Sequence, residues 1–238
     1  MEQAPDLRLK LIGGWDLSKN GRSLSVGLRQ QRLIAALAIH GQRPRSFLGG
    51  LLWPQDTETH AMGSLRAAVF TIARRMPGVL SCTGHDLRLG DGMDVDLHKL
   101  RAAITAHRPS PGPWFAGYSN AQLLPGWYDD WVVTEQERLR ADYIDAAERL
   151  AGAALAEHDH YQALHLARLV VDGDPLRESA TRILVQTHLE MGNRATALQI
   201  MHQYTDAVEQ ELGITPSSRF LELLDAGPVA STPVGSER

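Results

Sequence analysis

A cationic segment in the first third of the chain carries the side chains best suited to bind a polyanion. The stretch THAMGSLRAAVFTIARR, residues 59–75, contains three arginines and no acidic residue, although the whole chain has a formal net charge of -4. Guanidinium groups bind phosphate oxygens through charge-assisted hydrogen bonds, and Ser, Thr and His side chains add further polar contacts. The chemistry indicated is noncovalent binding of a phosphate backbone.

The charge is distributed unevenly along the chain. Residues 1–101 contain 14 Lys and Arg against 9 Asp and Glu, whereas residues 102–238 contain 10 against 19. This difference suggests two domains with different partners, although two solvated surfaces of opposite sign explain the totals equally well. With 43% hydrophobic and 22% charged residues, the composition is that of a soluble globular protein of one or two domains.

Neither a signal peptide nor a membrane span is recognisable. The N-terminus lacks a basic segment followed by an apolar core, and no window approaches the roughly 18 apolar residues of a spanning helix. The single cysteine, Cys82, excludes an internal disulfide and fits a reducing compartment. We therefore expect a cytoplasmic protein with no membrane contact, in which Cys82 packs in or near a strand.

Strand signals lie on both sides of the cationic segment. Apolar and polar residues alternate from Leu7 to Leu11, and Asn20-Gly21 is a strong signal for a two-residue turn, which together predict a small antiparallel sheet. Two apolar runs around Gly84, VLSCTG and DLRLG, predict a hairpin.

Three helices are predicted between the sheet and the hairpin. The first ends at Gly41, the short second helix ends at Pro54, and Asp56 or Thr57 caps the third. The apolar residues of the third helix recur with the spacing of one buried stripe: Ala61, Leu65, Ala68, Val69, Ile72 and Met76.

The order of sheet, three helices and hairpin predicts a winged helix-turn-helix, whose third helix fits the major groove of DNA. Base contacts are expected from Ser64, Ala67, Thr71 and Arg74. Backbone contacts are expected from Arg29, Arg45, His60, Arg66 and Arg75. The hairpin residues His85 and Arg88 are expected to act as the wing, against an adjacent minor groove or backbone.

From Trp127 onward the pattern is helical and repeats. HDHYQAL at 158–164 and GNRATAL at 192–198 match at a spacing of 34 residues, which is the period of tetratricopeptide helix pairs. Residues 105–126 are rich in Pro and Gly and predict a connector, and the small polar residues after Asp225 predict a disordered tail.

Two long segments, one from LRLKLIGG to IARRMPG and one from LLPGWYDDW to ELGITPSSRFLELL, resemble the domains of a known family. The first is similar to the OmpR-like DNA-binding domain of the Streptomyces antibiotic regulatory protein (SARP) group, and the second is similar to the bacterial transcriptional activation domain of the same group. The resemblance covers nearly all of residues 7–224. The LLWP end of the second helix, the DPLRE turn and the ELGITPS exit are its most specific motifs.

The resemblance implies a transcriptional activator that binds direct repeats near promoters as side-by-side protomers, as a dimer on DNA, and recruits RNA polymerase. It places the major-groove helix at His60–Met76 and the wing at the hairpin around Gly84. The expected fold is mostly α with a small β part, a winged helix-turn-helix followed by an all-α tetratricopeptide-like domain. The expected segments are a DNA-binding domain at 1–104, a connector at 105–126, an activation domain at 127–225 and a tail at 226–238.

Catalytic and cofactor motifs are missing from the sequence. It contains no GxSxG, no HExxH and no Gly-rich phosphate loop, so we expect neither an enzyme nor a bound cofactor. The HDH sequence at 158–160 suggests a metal site, but ligands at i and i+2 point to different faces of a helix. A solvated turn between repeats is the favoured interpretation, and no metal is predicted.

Two alternatives concern the partners. A repeat array offers a concave surface for a protein, or for a small effector among His165, Arg168 and Arg182, although nothing in the sequence identifies such a ligand. The competing function is a tetratricopeptide-type adaptor whose winged helix no longer binds DNA. Duplex binding that weakens steeply with salt would separate the DNA-binding protein from the adaptor.

Overall fold

The computed structural model describes residues 7–106 and 122–224 of the chain. The chain divides into two compact units, Met1–Arg140 and Ala141–Arg238. The boundary predicted from the sequence at residue 127 stays a prediction. The predicted tail at 226–238 and most of the predicted connector, residues 107–121, lie outside the described residues.

A four-stranded sheet begins the first unit. Its strands are β1 (Leu7–Lys10), β2 (Asp16–Lys19), β3 (Arg22–Ser23) and β7 (Asp94–Val95), in the order β3-β2-β1-β7. The predicted alternation is confirmed, because Leu7 and Leu9 are buried while Arg8 and Lys10 are exposed. The predicted turn is also confirmed, with φ of 51° at Asn20 and 74° at Gly21. The parallel pairing of β7 with β1 joins residues far apart in sequence.

Three helices follow the first three strands. They are α1 (Leu28–His40), α2 (Arg45–Leu52) and α3 (Glu58–Arg75). Gly41 ends α1 with a φ of 76°, as its position after the apolar stripe predicts. The Thr57 hydroxyl accepts a hydrogen bond from the His60 amide and caps α3.

The predicted hairpin is present and belongs to a second sheet. Its strands are β4 (Arg43–Pro44), β5 (Leu80–Thr83) and β6 (Asp86–Leu89), in the order β4-β6-β5. Gly84 takes a φ of 63° in the turn between β5 and β6. Cys82 lies in β5 but is exposed, so the expectation of a packed thiol is wrong: the tip of the hairpin projects away from the core.

Among the described residues, the first unit continues with α4 (Asp96–Thr105) and the first part of α5 (Asp130–Ala156). The Asp96 carboxylate at the start of α4 accepts hydrogen bonds from the backbone amides of Leu11, Ile12 and Leu97. The bonds from Leu11 and Ile12 tie the beginning of α4 to the residues that follow β1. Burial raises the pKa of the Asp96 carboxyl, although the same three bonds act in the opposite direction.

The second unit consists of helices in a repeating order. After α5 come α6 (His160–Gly173), α7 (Glu178–Glu190), α8 (Arg194–Leu212), α9 (Ser218–Leu221) and a 3-10 turn (Glu222–Leu224). The starts of α6 and α8 are 34 residues apart, and so are the ends of α5 and α7. The repeat predicted from the sequence is therefore confirmed, and α7 packs against both α6 and α8. In the described residues no helix is long and apolar enough to cross a membrane.

The last repeat is closed by the short α9. The buried residues that share this core are Val185, Ala197, Met201, Tyr204, Val208 and Phe220. The Tyr204 and Phe220 rings lie 4.9 Å apart between centroids, within the range of a favourable aromatic pair. The Glu178 carboxylate accepts hydrogen bonds from the amide and the hydroxyl of Ser217, which fixes the turn before α9.

Candidate nucleic-acid interface

Helix α3 buries one face and exposes the opposite face. Its fully buried side chains fall on one stripe: Ala61, Leu65, Ala68 and Ile72, with Met76 just beyond the end of the helix. Val69, which the sequence places in the stripe, is half-buried. The packing of α3 against α1 and α2 therefore leaves one side of a five-turn helix open to a partner.

The four residues expected to contact bases fall into two groups on α3, one exposed and one half-buried. Ala67 and Arg74 are exposed, whereas Ser64 and Thr71 are half-buried on the flank of the same face. The Thr71 hydroxyl donates a hydrogen bond to the carbonyl oxygen of Ala67, 2.9 Å away. With its proton engaged, the Thr71 oxygen faces a partner only as an acceptor.

Phe70 lies on the exposed face and was not among the predicted contact residues. Its side chain is 65% exposed, although phenylalanine is among the most frequently buried residues. It lies three residues after Ala67 and four before Arg74, so these side chains neighbour one another on the helix surface. The signal was present in the sequence: the buried stripe of α3 is complete without Phe70, which falls opposite Leu65.

Three of the arginines expected to contact the phosphate backbone, and the base-contact candidate Arg74, are available to a partner. Arg29, Arg66, Arg74 and Arg75 are exposed, and none of them is in an ion pair within residues 7–106 and 122–224. Their charge is therefore not neutralised locally. Between Thr59 and Arg75, α3 contains no acidic residue, so its arginines together produce a positive potential on the exposed side of the helix.

The remaining two backbone candidates differ in their surroundings. His60 is exposed in the first turn of α3. Arg45 is half-buried at the start of α2, and its Nη2 lies 3.6 Å from the Sγ of Cys82 in β5. Arg45 thus links the helix-turn-helix to the hairpin, and its amide donates a hydrogen bond to the carbonyl oxygen of His85.

The two wing residues lie at different heights on the hairpin. His85 is exposed in the turn, next to Gly84. Arg88 pairs across the strands with Ser81, two residues from the turn, and its guanidinium forms a two-pronged ion pair with Asp91. Hydrogen bonds and charge from Arg88 hold the pKa of the Asp91 carboxyl below its usual value. The cation that the sequence assigns to the wing is therefore already partnered.

In the second unit, the three residues suggested as a binding site for a small effector do not contact one another through hydrogen bonds or ion pairs in the described residues. His165 and Arg168 are exposed and Arg182 is half-buried. A different group comes together at the turn before α6, where His158 and His160 approach Glu190 at the end of α7. The sequence alone could not include Glu190, because it lies 30 residues further along the chain.

Comparisons with known proteins identify the family and the fold of the chain. The sequence profile of the family described as "Bacterial transcriptional activator domain" matches residues 75–226. A search of curated proteins gives no match. Among solved structures, the chain is similar to "Mycobacterium tuberculosis EmbR in complex with low affinity phosphopeptide", with a TM-score of 0.70 and 19% sequence identity. The match covers 94% of this chain and 66% of that one, and it shows the same fold.

Proposed function

Because the chain belongs to the bacterial transcriptional activator domain family, we propose that it is a sequence-specific DNA-binding activator that binds direct repeats near promoters and recruits RNA polymerase. The family match confirms the predicted kinship with SARP-type transcriptional activators, and the similar solved structure shows the shared fold. We propose the DNA target, the contact with RNA polymerase and the residues that make both contacts.

One observation carries the DNA-binding proposal. The open face of α3 combines unpaired arginines with small and apolar side chains, namely Arg66, Arg74, Ala67 and Phe70. Arginine can bind the O6 and N7 atoms of guanine, and Ala or Phe can contact the methyl group of thymine. A helix with this face has the size and the chemistry to enter a major groove, while Arg29 and Arg75 neutralise phosphates beside it.

The same proposal assigns the partners. Two protomers bind side by side on a direct repeat, the helical repeats contact RNA polymerase or the neighbouring protomer, and the protein acts in the cytoplasm. Ser64 and Thr71 contact DNA from the flank of the exposed face of α3. His60, Arg45 and His85 contact DNA from the margins of that face. Neither a membrane nor a redox or nucleotide cofactor takes part.

The proposal is tested first by selecting sites from a random duplex library with the full-length protein at about 0.15 M salt, where long-range electrostatic attraction is already screened. The expected result is an enriched direct repeat whose half-sites are spaced by about one helical turn, roughly 10–11 base pairs. No enrichment at any salt concentration would contradict the proposal.

Two substitutions then separate base reading from backbone binding. Arg74→Ala is expected to reduce discrimination between the enriched site and its variants by about 1–3 kcal/mol. Arg29→Ala is expected to weaken all duplexes alike and to lower the slope of log K against log salt by about one. Arg194→Ala, which removes an exposed arginine from the second unit, is the matched control and leaves both quantities unchanged.

The adaptor remains a second candidate because of Phe70. An exposed phenylalanine beside small residues also suits a protein surface, since interfaces are enriched in aromatic side chains. An adaptor would not bind duplex DNA at moderate salt, and Arg74→Ala and Arg29→Ala would then act alike on its protein partner.

A further inference from the structure

Three potential metal ligands converge where the first helical repeat meets the end of α7. The Nδ1 atom of His158 lies 3.4 Å, and the Nε2 atom of His160 3.1 Å, from the same carboxylate oxygen, Oε2 of Glu190. All three ligand atoms lie within 4.8 Å of one another. His158 is in the turn between α5 and α6, His160 is the first residue of α6, and Glu190 is the last residue of α7.

These distances are close to those of a tetrahedral site. Zn²⁺ binds His nitrogen at about 2.0–2.1 Å and carboxylate oxygen at about 2.0–2.2 Å, which places neighbouring ligand atoms about 3.3 Å apart. The distances from Oε2 of Glu190 to the two imidazole nitrogens, 3.4 and 3.1 Å, lie on either side of that value. The third pair, the two imidazole nitrogens, lies within 4.8 Å, and rotation of these exposed or half-buried side chains can bring it to the same separation.

The backbone explains how two histidines at i and i+2 reach one carboxylate. His158 has a φ of 60°, in the left-handed region, so it is not part of a regular helix and its side chain is redirected. The equivalent position of the next repeat, 34 residues later, is Gly192 with a φ of 78°. The first repeat thus has a histidine in a left-handed conformation, for which the second repeat has a glycine, the residue that best tolerates it. At the position of His160, the second repeat has Arg194.

A neighbouring amide orients the Glu190 carboxylate. The Nε2 of Gln186 donates to the other oxygen, Oε1, at 3.3 Å, and leaves Oε2 to the histidines. An outer hydrogen bond of this kind fixes the orientation of a ligating carboxylate.

We propose that Nδ1 of His158, Nε2 of His160 and Oε2 of Glu190 bind one divalent transition-metal ion of the zinc class. The mixed nitrogen and oxygen donors match the preference of Zn²⁺ over Mg²⁺ or Ca²⁺, which take oxygen ligands. Water or a donor from outside the chain completes the fourth position. The ion joins the turn between α5 and α6 to the end of α7, independently of any contact with DNA.

The test uses the full-length protein without a histidine tag, freed of metal by a chelator and titrated with Zn²⁺ in a calorimeter. The expected result is one ion per chain and a rise in melting temperature, because a ligand that binds the folded state stabilises it. His160→Ala and Glu190→Gln are each expected to weaken binding by tenfold or more, and His165→Ala, which removes an exposed histidine of the same helix, leaves it unchanged.

Two further readouts decide the result. Co²⁺ in the same site is expected to give the visible absorption of tetrahedral coordination, lost in His158→Ala. Zn²⁺ affinity is expected to fall as the pH is lowered, because protons compete for both imidazoles. Circular dichroism checks that each variant is folded. Absence of one-to-one binding, or equal loss in His165→Ala and His160→Ala, would show ordinary surface histidines and overturn the site.

Discussion

Arg101 in α4 donates a hydrogen bond to Glu135 in α5, with 2.8 Å between Nη2 and Oε2. Its other terminal nitrogen, Nη1, donates to the carbonyl oxygen of Ile39 at the end of α1, also at 2.8 Å. Arg32 of α1 makes a similar link, since it pairs with Asp129 and donates to the carbonyl oxygen of Leu52. The start of α5 is therefore bound to the helix-turn-helix unit by two ion pairs.

A fragment that ends at residue 104 is expected to be less stable than one that ends at residue 140. The shorter fragment loses Glu135 and Asp129 and exposes the apolar surface now covered by Trp131 and Val132, which are buried. Burial of one large apolar side chain contributes about 1.5–3 kcal/mol, so a loss of at least ~2 kcal/mol is expected. Urea unfolding of both fragments measures the difference. Equal midpoints and slopes would contradict the role assigned to the start of α5.

Phe70→Ala is expected to relax DNA specificity at a single base pair without changing stability. The side chain is exposed, so the free energy of unfolding stays within about 0.5 kcal/mol. The loss at the contacted thymine is about 1 kcal/mol, the low end for one mismatched pair. Binding to sites in which deoxyuracil replaces each thymine locates the methyl group. If uracil weakens the wild type and Phe70→Ala to the same extent at every position, Phe70 does not contact a methyl group. Tyr161→Ala, another exposed aromatic, is the control.

Asp91→Asn is expected to strengthen binding to all duplexes. The substitution removes the partner of Arg88 and leaves its guanidinium free for a phosphate, which increases the salt slope by about one. Asp86→Asn removes the same charge from the same hairpin but does not release Arg88, because Asp86 is hydrogen-bonded to Gln42. A salt titration of both variants checks this. An equal gain in both would mean that net charge alone is responsible and that Arg88 is not a wing contact.

His188 is expected to make the stability of the second unit sensitive to acid. The side chain is buried, and neither ring nitrogen has a hydrogen-bond partner in the described residues. Burial, and next the charge of Arg168, lower the pKa of the imidazole from its ordinary 6.5. The unfolded chain therefore takes up this proton more readily, so the stabilising contribution is complete above pH 6.5 and is lost as the pH falls toward the lowered folded value.

His188→Leu tests this directly, since leucine fills a similar volume and does not titrate. Chemical unfolding is measured for both proteins at several values of pH from about 7.5 to 5, around the ordinary imidazole pKa. The wild type is expected to lose more stability over this range than the variant. His165→Leu, at an exposed position, retains the slope of the wild type. Parallel profiles for wild type and His188→Leu would assign the acid sensitivity to other groups.

Features that depend on neighbouring residues were predicted correctly from the sequence, whereas pairings between distant residues were not predicted. The Thr57 cap, the Gly41 end of α1 and the Asn20-Gly21 turn each depend on a few neighbouring residues, and all are present in the structure. The pairing of β7 with β1 and the links from α5 to α1 and α4 connect residues that no periodic pattern relates. For the same reason the histidine pair at 158 and 160 gave no indication of its third neighbour.

Within the candidate site, the type of each residue was predictable but its surroundings were not. The cationic character of α3 follows from its sequence alone. The pairing of Arg88 needs the turn after β6, which brings the Asp91 carboxylate within hydrogen-bond distance of its guanidinium. Burial of Ser64 and Thr71 on the flank likewise depends on how α3 packs.

The parallel strand β7 has a consequence for the order of folding. Strands β1, β2 and β3 pair with sequence neighbours, but Arg8 of β1 lies opposite Asp94, and the carboxylate of Asp96 caps the end of β1. During synthesis the fourth strand therefore reaches the sheet only after the three helices and the hairpin have been made. One edge of β1 stays unpaired until then, and the sheet is completed only by its last-made strand.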